Sequence, residues 1–376
     1  MTGYKFFPQS VVWEITFACN MRCIHCGTSA GRRRPDELST EEAISLIDEL
    51  ANLGCQTLTL SGGEPLLRDD WPILARRSKF NGVQTYLITN GFAVKERDVD
   101  EMAAVGLDHV GLSFDGTRAT HNYIRQRNDS YDRVLLAMDM LRSRRVPFCA
   151  VSQISNINLE ELGDMHRTLV DHGCKTWRIQ MTTSTGRMKH LSNLVLSLDN
   201  YPRLIHKILE LKRSRDINID VGENIGYYGC KGSELRDGEP YYGCYAGTRV
   251  AGIASNGAVK GCLSLPEEFV EGNIRDSSFT EIWNRSGAFA YNRRFTRDTA
   301  SGACYDCKYL VLCRGGCTTT SYSQTGRRAD NPYCMYQVEL KQGIDSQDND
   351  AISSLLSLYN PERMIAGEPN PDFSVS

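Results

Sequence analysis

No apolar run in the 376 residues approaches the roughly eighteen needed to cross a membrane, and residues 1–8 hold no apolar core of signal-peptide length. The chain is therefore expected in the cytoplasm, with no membrane partner. It also lacks a strong excess of one charge. Lys and Arg number 43 against 46 Asp and Glu, a net charge of −3, which argues against a nucleic-acid partner gripped mainly through its phosphates. The one basic run, Arg32-Arg33-Arg34, is short and reads as a solvated loop. No tandem repeat is present beyond an alternation of strand-like and helix-like segments.

Cysteine is plentiful. Fourteen thiols in a reducing compartment point to metal or redox chemistry rather than to disulfides. Three of them form Cys19-x3-Cys23-x2-Cys26, directly after the apolar run 11–16, which reads as a buried strand. A structural zinc site or a complete iron-sulfur cluster takes four protein ligands, so three thiolates suggest a metal centre with one position open for chemistry. A zinc loop whose fourth ligand is His25 or lies elsewhere also fits this stretch.

Further along, Ser39-Thr40-Glu41-Glu42 is a capping box that opens a helix ended by Gly54. Strands are expected at 56–60, 83–88, 109–114, 148–154 and 176–181, and helices at 71–79, 96–105, 131–144 and 159–172. With the first strand this makes six βα units, the pattern of an α/β partial (β/α)6 barrel. The strand ends carry the cysteine loop, Gly62-Gly63-Glu64, Thr89-Asn90-Gly91 and Ser113-x-Asp115, where such barrels place functional groups. The expected divisions are an N-terminal segment (1–10), the barrel (11–215), a linker (216–243), a small cysteine-rich α+β domain (244–340) and a tail (341–376). A hairpin with Asn256-Gly257 as a type I′ turn is expected early in the second domain.

The cysteine loop, the Gly62-Gly63-Glu64-Pro65 turn and the six βα units together resemble the radical S-adenosylmethionine (SAM) enzymes. Cys244-x12-Gly257-x4-Cys262, followed by Cys304-x2-Cys307-x5-Cys313-x3-Cys317 and Cys334, resembles the SPASM extension of that superfamily. The resemblance implies that Cys19, Cys23 and Cys26 hold a 4Fe-4S cluster whose fourth iron binds SAM. Reductive cleavage then gives a 5′-deoxyadenosyl radical that takes a hydrogen atom from substrate. It further implies that Gly62, Gly63 and Glu64 receive the methionine amino group, and that Ser113 and Asp115 face the ribose or methionine end with Asn90 at the same rim. His25 would lie near the adenine or simply pack in its loop. Arg125 would pair with the methionine carboxylate or form a surface salt bridge. Gln153 and Gln180 would meet cofactor or substrate.

Two auxiliary 4Fe-4S clusters are implied, one on Cys244, Cys262 and Cys317 and one on Cys304, Cys307, Cys313 and Cys334, making three clusters in all. The first set is one thiol short. Cys230 is the candidate fourth ligand, or the iron is open to substrate, or Cys230 returns a hydrogen atom to a substrate radical with Cys149 as second candidate. Cys55 and Cys174 read as small buried hydrophobes.

The function implied is modification of a ribosomally made peptide, giving a carbon-carbon, cyclophane or thioether cross-link or an epimerised residue. A flavodoxin- or ferredoxin-type protein would donate electrons. The first strand begins by residue 11, so leader binding is expected to fall to a separate protein or to the barrel mouth itself. Leu263, where sulfatase maturases carry an aspartate, disfavours that reaction. A carbohydrate dehydrogenase or epimerase, a haem-type tetrapyrrole enzyme and a zinc-holding scaffold remain open.

Overall fold

A computed structural model describes residues 6–344 except Ser192, together with Ile352, Ser353 and Leu356. Most of the expected tail, and the first five residues of the expected N-terminal segment, lie outside the described residues.

The chain opens with β1 (Ser10–Thr16) and α1 (Thr40–Asn52). The capping box forms as expected: Ser39 accepts from the Glu42 N–H, and the Glu42 carboxylate accepts from the Ser39 N–H at 2.8 Å. Then follow β2 (Thr57–Gly62), α2 (Trp71–Phe80), β3 (Gln84–Thr89), α3 (Glu96–Val105), β4 (His109–Ser113), α4 (Arg118–Arg125), α5 (Ser130–Ser143), β5 (Phe148–Ile154), α6 (Leu162–Asp171) and β6 (Thr176–Met181). Beyond these come α7 (Tyr201–Ser214), β7 (Asn218–Val221), α8 (Cys230–Leu235), β8 (Val250–Ile253), β9 (Ala258–Lys260) and β10 (Gly272–Asn273).

All ten strands join one sheet in the order β10-β9-β8-β1-β2-β3-β4-β5-β6-β7. Strands β1 to β7 are parallel, as crossover helices require, and the sheet has two edges, so the barrel is partial. It continues at both ends: β7 from the expected linker extends β6, and β8 from the cysteine-rich region pairs with β1.

One face is packed by the helices. Val11, Trp13 and Ile15 of β1, Leu58 and Leu60 of β2, and Trp177 and Ile179 of β6 are all at most 1% exposed there. The alternate residues form the inner face, which is polar: Thr59 and Ser61, Tyr86, His109 and Ser113, Cys149 and Gln153, Arg178 and Gln180. Side chains two apart share a face, so this division follows directly from the strand register.

Three expectations are corrected. Helix α4 was not anticipated, because its eight residues, RATHNYIR, carry no apolar stripe. The β8–β9 turn is not type I′, which needs positive φ at both central residues. Only Gly257 is positive (+87°), and the Ala254 N–H donates to the Ala258 carbonyl at 2.8 Å, which closes a three-residue loop with glycine in the left-handed position. Lastly, Arg34 is not solvated. Its Nη1 donates to Glu14 at 2.6 Å and to Ser255 at 2.9 Å, with the guanidinium 4.1 Å over the Phe17 ring. Burial raises the pKa of Glu14, Arg34 counters that, and the pair ties β1 to the hairpin tip.

Candidate cofactor and cluster sites

The loop after β1 is fixed from several sides. Cys19 N–H donates to Gly31 O at 2.8 Å and Gly31 N–H to Phe17 O at 3.1 Å, closing its base. The turn after β2 stitches to it through Gly63 N–H to Thr16 O (2.8 Å) and Glu64 N–H to Ala18 O (2.7 Å). Helix α4 takes the Ile24 N–H on Ile124 O at 2.9 Å, and Arg187 Nε donates to Cys23 O at 2.7 Å. A Cβ on Gly63 would run into the Ala18 carbonyl, and one on Gly62 into the Thr16 carbonyl. Both glycines are thus required by the approach of this chain to its own cysteine loop.

Cys23 is buried, and Cys19 and Cys26 are half-buried. Burial pushes the Cys19 thiol up to about 11 and raises that of Cys23, where Arg125 opposes it. A metal bound here would displace those protons.

Asp115 is the hub beneath the loop. It is 0% exposed, and its Oδ2 takes both His25 Nε2, at 3.0 Å, and the Arg125 guanidinium, while Oδ1 takes the Gln153 N–H at 2.9 Å. Burial works against its charge, but Arg125 and His25 outweigh it and hold the carboxyl well below the usual range. Arg125 also points Nη1 at Cys23 Sγ, 3.8 Å away. The Asp115 N–H donates to His121 Nδ1 at 3.1 Å, and His121 is kept neutral by burial and by Arg125, with its pKa pushed down to about 3.

These contacts revise three expectations. Asp115 faces no open rim, Arg125 is not a surface salt bridge, and His25 is anchored by Asp115. Two polar atoms beside the thiols, His25 Nδ1 and Arg125 Nε, are buried without a partner. Such orphaned groups are costly unless a polar ligand meets them, so the pocket fits a polar cofactor.

Glu64 is 1% exposed, and its oxygens accept from the Thr89 hydroxyl at 2.7 Å and from the Asn90 N–H at 2.8 Å. Burial raises it to about 7. Asn90 continues to Asn20 of the cysteine loop at 2.8 Å. Ser113, Gln153 and Gln180 are half-buried on the inner face, with the two glutamines paired in register. Arg187, His121 and Asn20 went unnoticed in the sequence. Arg187 lies in an aperiodic stretch, and the other two carry no motif of their own.

In the second region, Cys304, Cys307, Cys313 and Cys334 line a single cavity together with Tyr227, Leu310 and Asn331. Cys244, Cys262 and Cys317 form a separate group; Cys317 is pushed up to about 12 by burial and then by Cys244 and Cys262. Four thiols around one cavity suit a cluster.

Cys230 is exposed at the start of α8, with its N–H on Glu339 at 2.8 Å. Cys149 is half-buried on the inner face of β5, and burial raises it to about 12, so it carries its proton at neutral pH. Cys55 and Cys174 are buried and donate to the carbonyls of Thr57 and Thr176.

Residues 13–171 match the Radical SAM superfamily, and residues 244–308 match SPASM, an iron-sulfur cluster-binding domain. An AdoMet-dependent heme synthase of Methanosarcina barkeri is 31% identical over 88% of this chain and 97% of its own length. The mycofactocin maturase MftC of Mycolicibacterium smegmatis is 28% identical over 86% of this chain and 81% of its own. The structure of Streptococcus suis SuiB bound to its precursor peptide SuiA is similar at a TM-score of 0.68, 17% identity, 87% of this chain and 74% of that one, a likeness of fold. The chain belongs to the radical SAM superfamily, as an enzyme with a C-terminal SPASM iron-sulfur domain.

Proposed function

We propose that this enzyme takes a hydrogen atom from a peptide and leaves a cross-link or an inverted residue. The loop thiols would hold one 4Fe-4S cluster and the two SPASM groups one each. When bound, the loop cluster and SAM supply the radical chemistry; the chain's own part is to hold the loop and present the substrate. Asp115 and Arg125 brace the loop, and His25 Nδ1 and Arg125 Nε offer polar contacts to the cofactor. A reducing compartment, the cytoplasm, suits these thiols, with a flavodoxin- or ferredoxin-type protein as electron donor and a separate protein or the barrel mouth as the leader-binding part.

The charge of the inner face carries the substrate reading. Among the described strand residues there, the cations are Arg178, ion-paired with Asp220, Lys260 of β9, ion-paired with Glu267, and His109, whose pKa burial lowers. Neutral Thr59, Tyr86, Gln153 and Gln180 suit a peptide backbone, which needs donors and acceptors but no net charge. If the product is an inverted residue, Cys149 is the thiol placed to return the hydrogen atom. The second reading, a tetrapyrrole substrate, is favoured by the near full-length match to a heme synthase. Several carboxylates would then meet an arginine and a lysine that are both already paired.

Anaerobic reaction with SAM and reductant in D2O separates these readings. A short peptide encoded beside this gene should lose two hydrogens or gain one deuterium. An unchanged peptide, with side-chain loss from an iron porphyrin instead, would establish the tetrapyrrole reading.

A further inference from the structure

The three-thiol group of Cys244, Cys262 and Cys317 leaves one corner of a cluster without a protein thiolate, and the remaining candidate, Cys230, is exposed whereas these three are half-buried. Two buried hydroxyls without a hydrogen-bond partner stand near this group, Tyr241 and Tyr291, and a third, Thr320, meets the Cys317 sulfur. The Tyr291 hydroxyl occupies the place that a Cβ on Gly261, next to Cys262, would take, and it lies within electrostatic reach of Cys244 and Cys262. Tyr241 is 2% exposed and within reach of Cys244 and Cys317. Thr320 is 0% exposed and turns its N–H and hydroxyl toward the Cys317 sulfur.

Buried polar atoms are almost always satisfied, so two orphaned hydroxyls beside one thiol group indicate a missing acceptor. A cluster supplies it, since its sulfides and thiolate sulfurs accept hydrogen bonds. Tyr227 closes the other side. It holds a left-handed backbone (φ +83°), its hydroxyl accepts from the Cys317 N–H at 3.0 Å, and its ring lines the cavity of the four-thiol group. This wall separates the two groups, so the hydroxyls serve one of them.

We infer that the auxiliary cluster on Cys244, Cys262 and Cys317 has no fourth cysteine ligand and that Tyr291 and Thr320 donate hydrogen bonds to its sulfurs. Two consequences follow from chemistry. With one thiolate fewer, the cluster carries less negative charge than its four-thiolate neighbour, and each O–H donor favours its reduced form. Removing a donor must therefore make this cluster harder to reduce.

The inference rests on the two auxiliary clusters proposed above, and the test keeps the two apart. Iron and sulfide are counted in the anaerobic full chain, and auxiliary potentials are read by EPR-monitored redox titration. Cys230→Ser should leave the count and both potentials unchanged. Thr320→Val and Tyr291→Phe should keep the count and shift one auxiliary potential to more negative values, and Thr320→Ser should restore it. A loss of about four irons in Cys230→Ser, or unshifted potentials in both hydroxyl variants at full iron content, overturns the inference. Wild-type protein with iron for one cluster only overturns the auxiliary clusters and the inference with them.

Discussion

At Asp115 one carboxylate with no exposed surface collects a guanidinium, an imidazole and a backbone N–H, and through them carries the floor of the cysteine loop. Asp115→Asn takes the carboxylate partner from buried Arg125, and breaking such a pair costs about 3–5 kcal/mol. The folded pKa of Asp115 lies below its unfolded value, so its contribution is present above about pH 4 and is lost as the pH falls further. Denaturant midpoints of wild type and Asp115→Asn should therefore differ widely at pH 7 and converge in acid; equal midpoints at pH 7 would contradict the pairing. The sequence marked Asp115, Arg125 and His25 as polar groups at strand ends and loops. It did not show that they satisfy one another, because His25 and Asp115 are separated by ninety positions and no local pattern links them.

Among the elements, the strands were readable because their apolar runs are bounded by turns, and all six expected strands occur within one or two residues. Helix α4 was hidden because it works by polar contacts: its buried residues are His121, Ile124 and Arg125. The turn after β2 shows the other side of legibility. Gly62-Gly63-Glu64 was recognisable, yet its glycines are explained here by the carbonyls of Thr16 and Ala18, which the sequence places far away. Gly63→Ala should push the loop off this turn. Expected are the loss of about four irons and of 5′-deoxyadenosine formation, with the SPASM clusters retained. Full iron content together with normal SAM cleavage would show that the close approach is dispensable.

Over the whole molecule, the cysteine-rich half is built onto the barrel sheet through β8 beside β1 and through Glu14, Arg34 and Ser255. The resemblance to the SPASM extension implied two groups of three and four thiols, and Cys304, Cys307, Cys313 and Cys334 line one cavity; what the sequence could not suggest was the set of buried hydroxyls, whose members come from three separate stretches. The central claim is that three separate thiol sites each hold a cluster and that only the first cleaves SAM. Iron, sulfide and 5′-deoxyadenosine measured on anaerobic wild type and on the Cys19→Ala/Cys23→Ala/Cys26→Ala variant test it most directly. The account predicts about twelve irons falling to about eight, with 5′-deoxyadenosine abolished. Stoichiometric zinc in the wild type, or persistent 5′-deoxyadenosine in the variant, would contradict it.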